Sequence, residues 1–264
     1  MRTYRSYNID INHPAVVAEA PAPNVSSRYT FIPTHQLVSS LSTNYWAFDG
    51  GTARRTRNPN RQSSTHHVLR FSNPRLPVLE DGTRPQAVIL NSHGGGGCFE
   101  LSLGAFRIAC ANGLVVQSLQ CGTIKLRHVG LNISEILGAT DELLSRAPDV
   151  FAHVQEWSRV GLSIERQREL AHRASLLRWS DGGTAVNLDE INRSRRPQDT
   201  GNDLWRTFNR VQESVLRGGI TVSKLDSETG ITTRRNASAI RNPVKSLTLN
   251  RDLWQIAEEF ATVA

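Results

Sequence analysis

The hydrophobic period of this chain changes once, near residue 130, and that change constrains the fold more than any other feature of the sequence. Between Thr52 and Leu126 apolar and polar residues alternate: His67, Leu69 and Phe71 against Val68 and Arg70, then Phe99, Leu101 and Leu103 against Glu100 and Ser102. A period of two places successive side chains on opposite faces of a strand. Turn residues separate the runs at Asn73-Pro74, Asp81-Gly82, Gly94 to Gly97 and Asn112-Gly113, and their spacing predicts an antiparallel meander of about four or five strands. Beyond residue 131 the spacing becomes three to four, through Ile133, Ile136, Leu143, Leu144, Ala147, Phe151, Val154 and Trp157. That is the stripe of helices packed on one side. Strands first and helices after predict an α+β fold, an antiparallel β meander followed by and packed against several helices, rather than alternating βαβ units.

Helix ends are signalled locally. Pro148 should divide the first helical run after Ala147. Ser163 is a cap for a helix reaching Trp179; Asp203 to Arg217 carries Leu204, Phe208, Val211 and Val215 on one face; and Asn250 is a cap for a last helix ending near Thr262. Earlier in the chain, Tyr29 to Ile32 reads as a short strand, Thr34 as the cap of a helix bearing Leu37, Val38 and Leu41, and Gly50-Gly51 as a turn. Thr232 to Asn236 reads as a polar connection. Residues 1–27, with Pro14, Pro21 and Pro23, read as a flexible N-terminal tail that orders only if something else holds it. Residues 28–264 read as a single α+β domain, β-rich over 28–128 and helical over 131–264.

No window approaches the 18 consecutive apolar residues of a membrane span, and Met1 to Asn12 lacks the apolar stretch of a secretory leader, so no membrane partner and a cytoplasmic location are expected. Cys98, Cys110 and Cys121 are odd in number and form no C-x-x-C pair, which argues for free thiols and against a zinc site or a disulfide framework. Charge is more informative. The chain carries a net +7, and 28 of its 31 basic residues are arginine. Guanidinium forks suit bidentate contact with phosphate or carboxylate, so this surface is compatible with nucleic acid. Three clusters fall on polar connections: Arg54, Arg55, Arg57 and Arg61 on a segment able to form a long arm; Arg193, Arg195 and Arg196; and Arg234, Arg235, Arg241 and Lys245. Tyr45, Trp46 and Phe71 could stack on bases if exposed.

The run His93-Gly94-Gly95-Gly96-Gly97 resembles the oxyanion loop of lipase-type hydrolases, yet no G-x-S-x-G nucleophile turn accompanies it. Read as a phosphate cradle, it lacks the G-K-[ST] ending of a nucleotide-binding loop, and strand-like sequence follows it. His66 and His67 are adjacent on a strand and face opposite ways, a poor chelate, and His93 and His128 have no carboxylate at ligand spacing. No metal or cofactor is therefore expected.

Several stretches together resemble a family of unknown function carried by bacteriophages, prophages and conjugative plasmids of enterobacteria and other bacteria. They are Ser92-His93-Gly94, the run from Leu103 to Val116, Lys125 to His128, Leu204 to Glu213, Arg217-Gly218-Gly219, and Leu249 to Trp254, so the resemblance covers about residues 28 to 260. Members usually read Ser-His-Asp-Gly where this chain has Ser92-His93-Gly94-Gly95, so the acidic residue of that loop is missing here. The resemblance implies a mobile-element context, near genes that handle single-stranded DNA. The predicted topology is also analogous to that of single-strand annealing proteins, an associational argument only. The leading expectation is a non-enzymatic protein, able to form homo-oligomers, that binds single-stranded DNA. Arg54, Arg55, Arg57 and Arg61 would hold phosphates, aided by Arg234 and Arg235. Two other readings stay open: an interaction protein that counters a host factor, and an enzyme using His93, His128 and Asn112 around the glycine loop.

Overall fold

In the computed structural model, which describes residues 6–78, 83–107, 114–115, 123–130, 132–180, 184–226 and 228–262, the alternating segment forms an antiparallel sheet. Contacts divide the chain into two compact units: Met1–Phe151 with Arg241–Leu247, and Ala152–Ile240 with Thr248–Ala264.

The sheet belongs to the first unit. Its strands are β1 (Ser6–Ile9), β2 (Ala47–Arg54), β3 (His67–Ser72), β4 (Thr83–Asn91), β5 (Cys98–Arg107), β6 (Leu114–Val115) and β7 (Thr123–Arg127), joined by helix α1 (Thr34–Thr43) between β1 and β2. β1 to β5 pair in order, and β5 also holds β7 along its first half and β6 near its end. Register follows the predicted alternation. Leu69 faces Ile89, which faces Leu101, and Phe71 faces Ala87, which faces Leu103. All six are fully buried, so this face is core. Val88 and Leu90, of the opposite parity, pack with Leu247 and the half-buried Val68 and Val244. Helix α1 contacts β2, and α2 (Ile133–Ser145) contacts β5 and β7.

Three local expectations are corrected here. Gly50 and Gly51 lie inside β2, not in a turn: the register shifts between Phe48 and Gly50, and a Cβ on Gly51 would sit 2.7 Å from Leu69 Cδ2 and 2.9 Å from the Val68 carbonyl. Close strand approach demands these glycines. Tyr29 to Ile32 makes only one bridge, Tyr29 to Val129, because its aromatic side chains turn to the rings of His128 and His93 instead of a neighbouring strand. Thr34 is the first residue of α1 and not its cap, a position taken by Pro33 with no side-chain bond. The N-terminal segment, from Ser6 onward, is held: β1 pairs with β2, Ala15 and Val16 are buried, and the Ala22 amide donates to the His93 carbonyl at 2.8 Å.

The second unit is built on helices. Helix α3 (Ala147–Trp157), which belongs to this unit from Ala152 onward, starts one residue past the C-cap of α2, with Pro148 in its first turn, where the missing N–H costs nothing. Next come α4 (Ile164–Leu176), β8 (Thr184–Val186), α5 (Leu188–Asn192), α6 (Leu204–Arg217), β9 (Thr221–Leu225), β10 (Thr232–Asn236) and α7 (Pro243–Thr262), the last belonging to this unit from Thr248 onward. The predicted caps are present: Ser163 Oγ accepts from the Arg166 amide at 3.3 Å and Asp203 Oδ1 from the Arg206 amide at 2.9 Å. Trp157 stacks on Trp254 with centroids 3.9 Å apart, and Phe208 meets both edge-on, all three fully buried. Asn250 does not cap α7. The helix begins at Pro243, with Asn242 accepting from the Lys245 amide at 3.1 Å, and the buried Asn250 accepts from Gln212 Nε2 at 2.6 Å. Thr232 to Asn236 is likewise no loop but β10, antiparallel to β9 in a three-stranded sheet. Every residue of β10 is exposed, so it carries no alternation to detect.

Candidate functional site

β2 ends at Arg54 and β3 begins at His67, and between them Pro59–Ser64 forms a 3₁₀ turn whose cap, Asn58, accepts from the Asn60 amide at 3.0 Å. This arm carries all four predicted arginines of the first cluster. The glycine run forms the connection from β4 to β5. His67 pairs with Asn91 across β3 and β4, so the start of β3 and the end of β4 share one end of the sheet. The arm and the glycine loop must therefore meet.

Their contact is close. Ser92 Oγ donates to the Ser64 carbonyl at 3.3 Å, and a Cβ on Gly94 would come within 3.0 Å of that same oxygen. A Cβ on Gly97 would lie 3.1 Å from His66 Nε2, and one on Gly95 3.1 Å from Val25; both residues have positive φ, at +94° and +78°. Glycine is required there for conformation and space together.

Between arm and loop lies a cleft of ≈ 580 Å³, lined by Arg54, Arg55, Arg61, His66, Gly94 and Gly96 among others, with Pro21 to Asn24 along one wall. Among the described residues no carboxylate lines it. Arg57 is exposed on the same arm without forming part of this lining, and Arg55 and Arg61 are also exposed. Burial, and then the charge of Arg54, hold the His66 pKa below its usual value, while its ring bonds to the Gly96 backbone. The other two loop glycines, Gly95 and Gly97, line a smaller depression of ≈ 370 Å³ with Tyr29, Arg127 and His128.

Beneath the loop is a buried polar cluster. His67 Nδ1 lies 3.0 Å from the Thr65 carbonyl and must donate to it, so Nε2, 2.9 Å from Thr34 Oγ1, accepts from that hydroxyl. Thr34 in turn accepts from Asn91 Nδ2 at 2.9 Å. His93 Nε2 donates to the Ala15 carbonyl at 3.0 Å, its ring packs on Phe31, and its Nδ1 is buried with no partner among the described residues. His128 Nδ1 donates to the Thr30 carbonyl at 3.1 Å, its ring stacks on Tyr29, and its Nε2 is likewise buried and unpartnered among the described residues. Tyr29 closes the cluster by donating to the Ser92 carbonyl at 2.7 Å, and burial pushes its pKa up to about 12. Burial pushes the pKa of His67 down to about 3 and that of His93 down to about 4, so both are neutral supports of the loop.

The structure thus brings Arg54, Arg55, Arg61, Gly94 and Gly96 together and sets His93 behind them, fully buried. Asn112 lies outside the described residues, as do Cys110 and Cys121; Cys98 is a free, half-buried thiol. Arg234 and Arg235 belong to the second unit, exposed on β10. Two of the three arginines of the middle cluster bond internally: Arg196 grips Glu213 through two 3.1 Å bonds, and Arg195 bonds the Gly218 carbonyl at 2.8 Å, while Arg193 is exposed. Of the three candidate stacking aromatics, Trp46 and Phe71 are buried, and Tyr45 is exposed with one face of its ring covered by the Arg75 guanidinium, 3.0 Å from its centroid. Among the described residues no group of three His, Cys, Asp or Glu could hold a metal ion, and no helix is long and apolar enough to cross a membrane. The site residue missed in the sequence is His66. Its adjacency to His67 already implied that one of the pair faces outward.

A family model for a domain of unknown function, DUF932, matches residues 23–254. The UPF0380 proteins YfjQ and YafZ of Escherichia coli (strain K12) are each 32% identical to the chain over 253 residues, covering 94% of it and 88% of the relative. No solved structure matches the chain.

Proposed function

The chain belongs to the DUF932 family of unknown function, and from the arginine-lined cleft of its first unit we propose that it is a nucleic-acid-binding protein that holds the phosphates of single-stranded DNA. One observation carries this reading: three arginines and a glycine loop line one cleft, and no carboxylate among the described residues joins them. Among the described residues Arg55 and Arg61 form no ion pair, so their charge remains for a ligand, unlike that of Arg196. A volume of ≈ 580 Å³ is within the range of small-ligand sites. With no Phe, Tyr or Trp among the described residues of the lining, affinity should come mainly from phosphate and be indifferent to base sequence.

Two phosphate charges neutralised by Arg55 and Arg61 on a single strand give a salt slope of about −1.4, so raising salt from 50 to 200 mM should weaken binding roughly 7-fold. Anisotropy of a fluorescent oligonucleotide measures this, with a duplex of the same sequence as comparison. A folded protein that retains no oligonucleotide at 50 mM salt would refute the proposal. The enzymatic reading has one observation in its favour, the unpartnered nitrogens of His93 and His128. Neither histidine lines the arginine cleft, however, and His93 is sealed from solvent.

A further inference from the structure

Extending the phosphate-binding reading, on which it rests, we infer that the cleft takes a terminal phosphate monoester, the phosphorylated end of a strand, in preference to an internal phosphodiester. All of its lining comes from three short segments: Pro21 to Asn24, Arg54 to His66 and Ser92 to Gly96. An internal phosphodiester offers one charge and two free oxygens. A monoester carries about −1.5 to −2 charges and three free oxygens. The two cations Arg55 and Arg61, which form no ion pair among the described residues, match the charge of the dianion and exceed that of a diester.

The loop adds to this match. Gly96 lines the cleft, its Cβ direction is open, and its amide has no hydrogen-bond partner among the described residues. Ser63 and Ser64 line the cleft as well, and among the described residues no carboxylate is there to repel a second negative charge. The lining holds no Phe, Tyr or Trp among the described residues, which fits recognition of an end through its phosphate rather than through a stacked base. The ligand class is a phosphate monoester on a nucleotide, at either the 5′ or the 3′ end of a strand.

The test uses the full chain and one oligonucleotide sequence in four forms: 5′-phosphorylated, 3′-phosphorylated, with hydroxyls at both ends, and as a covalently closed single-stranded circle. One phosphorylated form should bind about tenfold more tightly than the hydroxyl form and the circle, a difference of about 1.4 kcal/mol. Adenosine monophosphate carrying the phosphate at the matching position should compete. Arg55→Ala with Arg61→Ala, at exposed positions that leave the fold intact by circular dichroism, should abolish the difference. Equal affinity for all four forms overturns the terminal-phosphate inference and leaves the nucleic-acid reading standing. A preference that survives the double substitution also overturns it, since the site would then lie elsewhere. No binding of any form at low salt overturns both.

Discussion

Lowering the pH from 8 to 5 should cost the first unit about 4 kcal/mol of stability, through His67 and His93 alone. Both imidazoles are fully buried, with pKa values pushed down to about 3 and about 4 against an ordinary 6.5. Burial is the main cause, because it penalises a charged imidazole far more than a neutral one, and the bonds to the Thr65 and Ala15 carbonyls offset it only in part. The Thr65 carbonyl takes the His67 Nδ1 proton, and the neutral Nε2 accepts from Thr34. A second proton would place a charge in a site without water access. The sign follows from linkage: below 6.5 the unfolded chain binds protons that the folded one refuses, so stability is complete above that pH and is lost as pH falls toward about 4. At pH 5 each unfolded imidazole is about 97% protonated and each folded one about 10% or less, a difference of about 2 kcal/mol per residue. Glu213, whose carboxyl is held below its usual pKa between Arg196 and Arg217, contributes only below that range and lies in the other unit. Hydrogen exchange of the β3 and β4 amides, corrected for intrinsic rates at each pH, reads this unit alone. A fall in protection of less than about 1 kcal/mol between pH 7 and 5 would refute the reasoning. So would a His67 ring that titrates near 6.5 in the folded protein.

Gly96→Asp should leave folding unchanged and weaken oligonucleotide binding at least about tenfold, because its Cβ would meet nothing within 4 Å while its carboxylate enters a cleft that has none. Unaltered affinity at 50 mM salt would remove the glycine loop from the site. Gly218→Ala should lower the thermal midpoint, at a cost of about 1–3 kcal/mol or more: φ there is +70°, and a Cβ would collide with the Ala237 carbonyl. A midpoint within one degree of the parent's would contradict that. Trp254→Ala removes the ring stacked on Trp157 and should cost about 3–5 kcal/mol in urea unfolding of the second unit, so a loss below about 1 kcal/mol would mean the aromatic cluster is not its core.

Features set by a few neighbouring residues were legible. Ser163 and Asp203 cap α4 and α6 because a short polar side chain can satisfy an amide two or three residues on, whatever surrounds it. Pro148 marks the start of α3 for an equally local reason. Asn250 offered the same chemistry as those caps, yet Gln212 claims its side chain and α7 starts earlier. Strand β10 escaped detection because both its faces are exposed, so nothing imposed a period on it.

What the sequence determined by itself is the class of fold, through the change of period, and the chemical character of the site: an arginine-rich polar arm and a glycine run, each between two strands. Neither depends on distant contacts. Only the tertiary structure decided which of these parts act together. The pairing of His67 with Asn91 brings the arm to the glycine loop, and packing buries the histidines beneath it. It also puts Arg234 and Arg235 on a strand of the other unit, leaves Arg196 bound to Glu213, and takes Trp46 and Phe71 into the core. Net charge counts every arginine alike, whereas register and burial determine which of them can meet a phosphate.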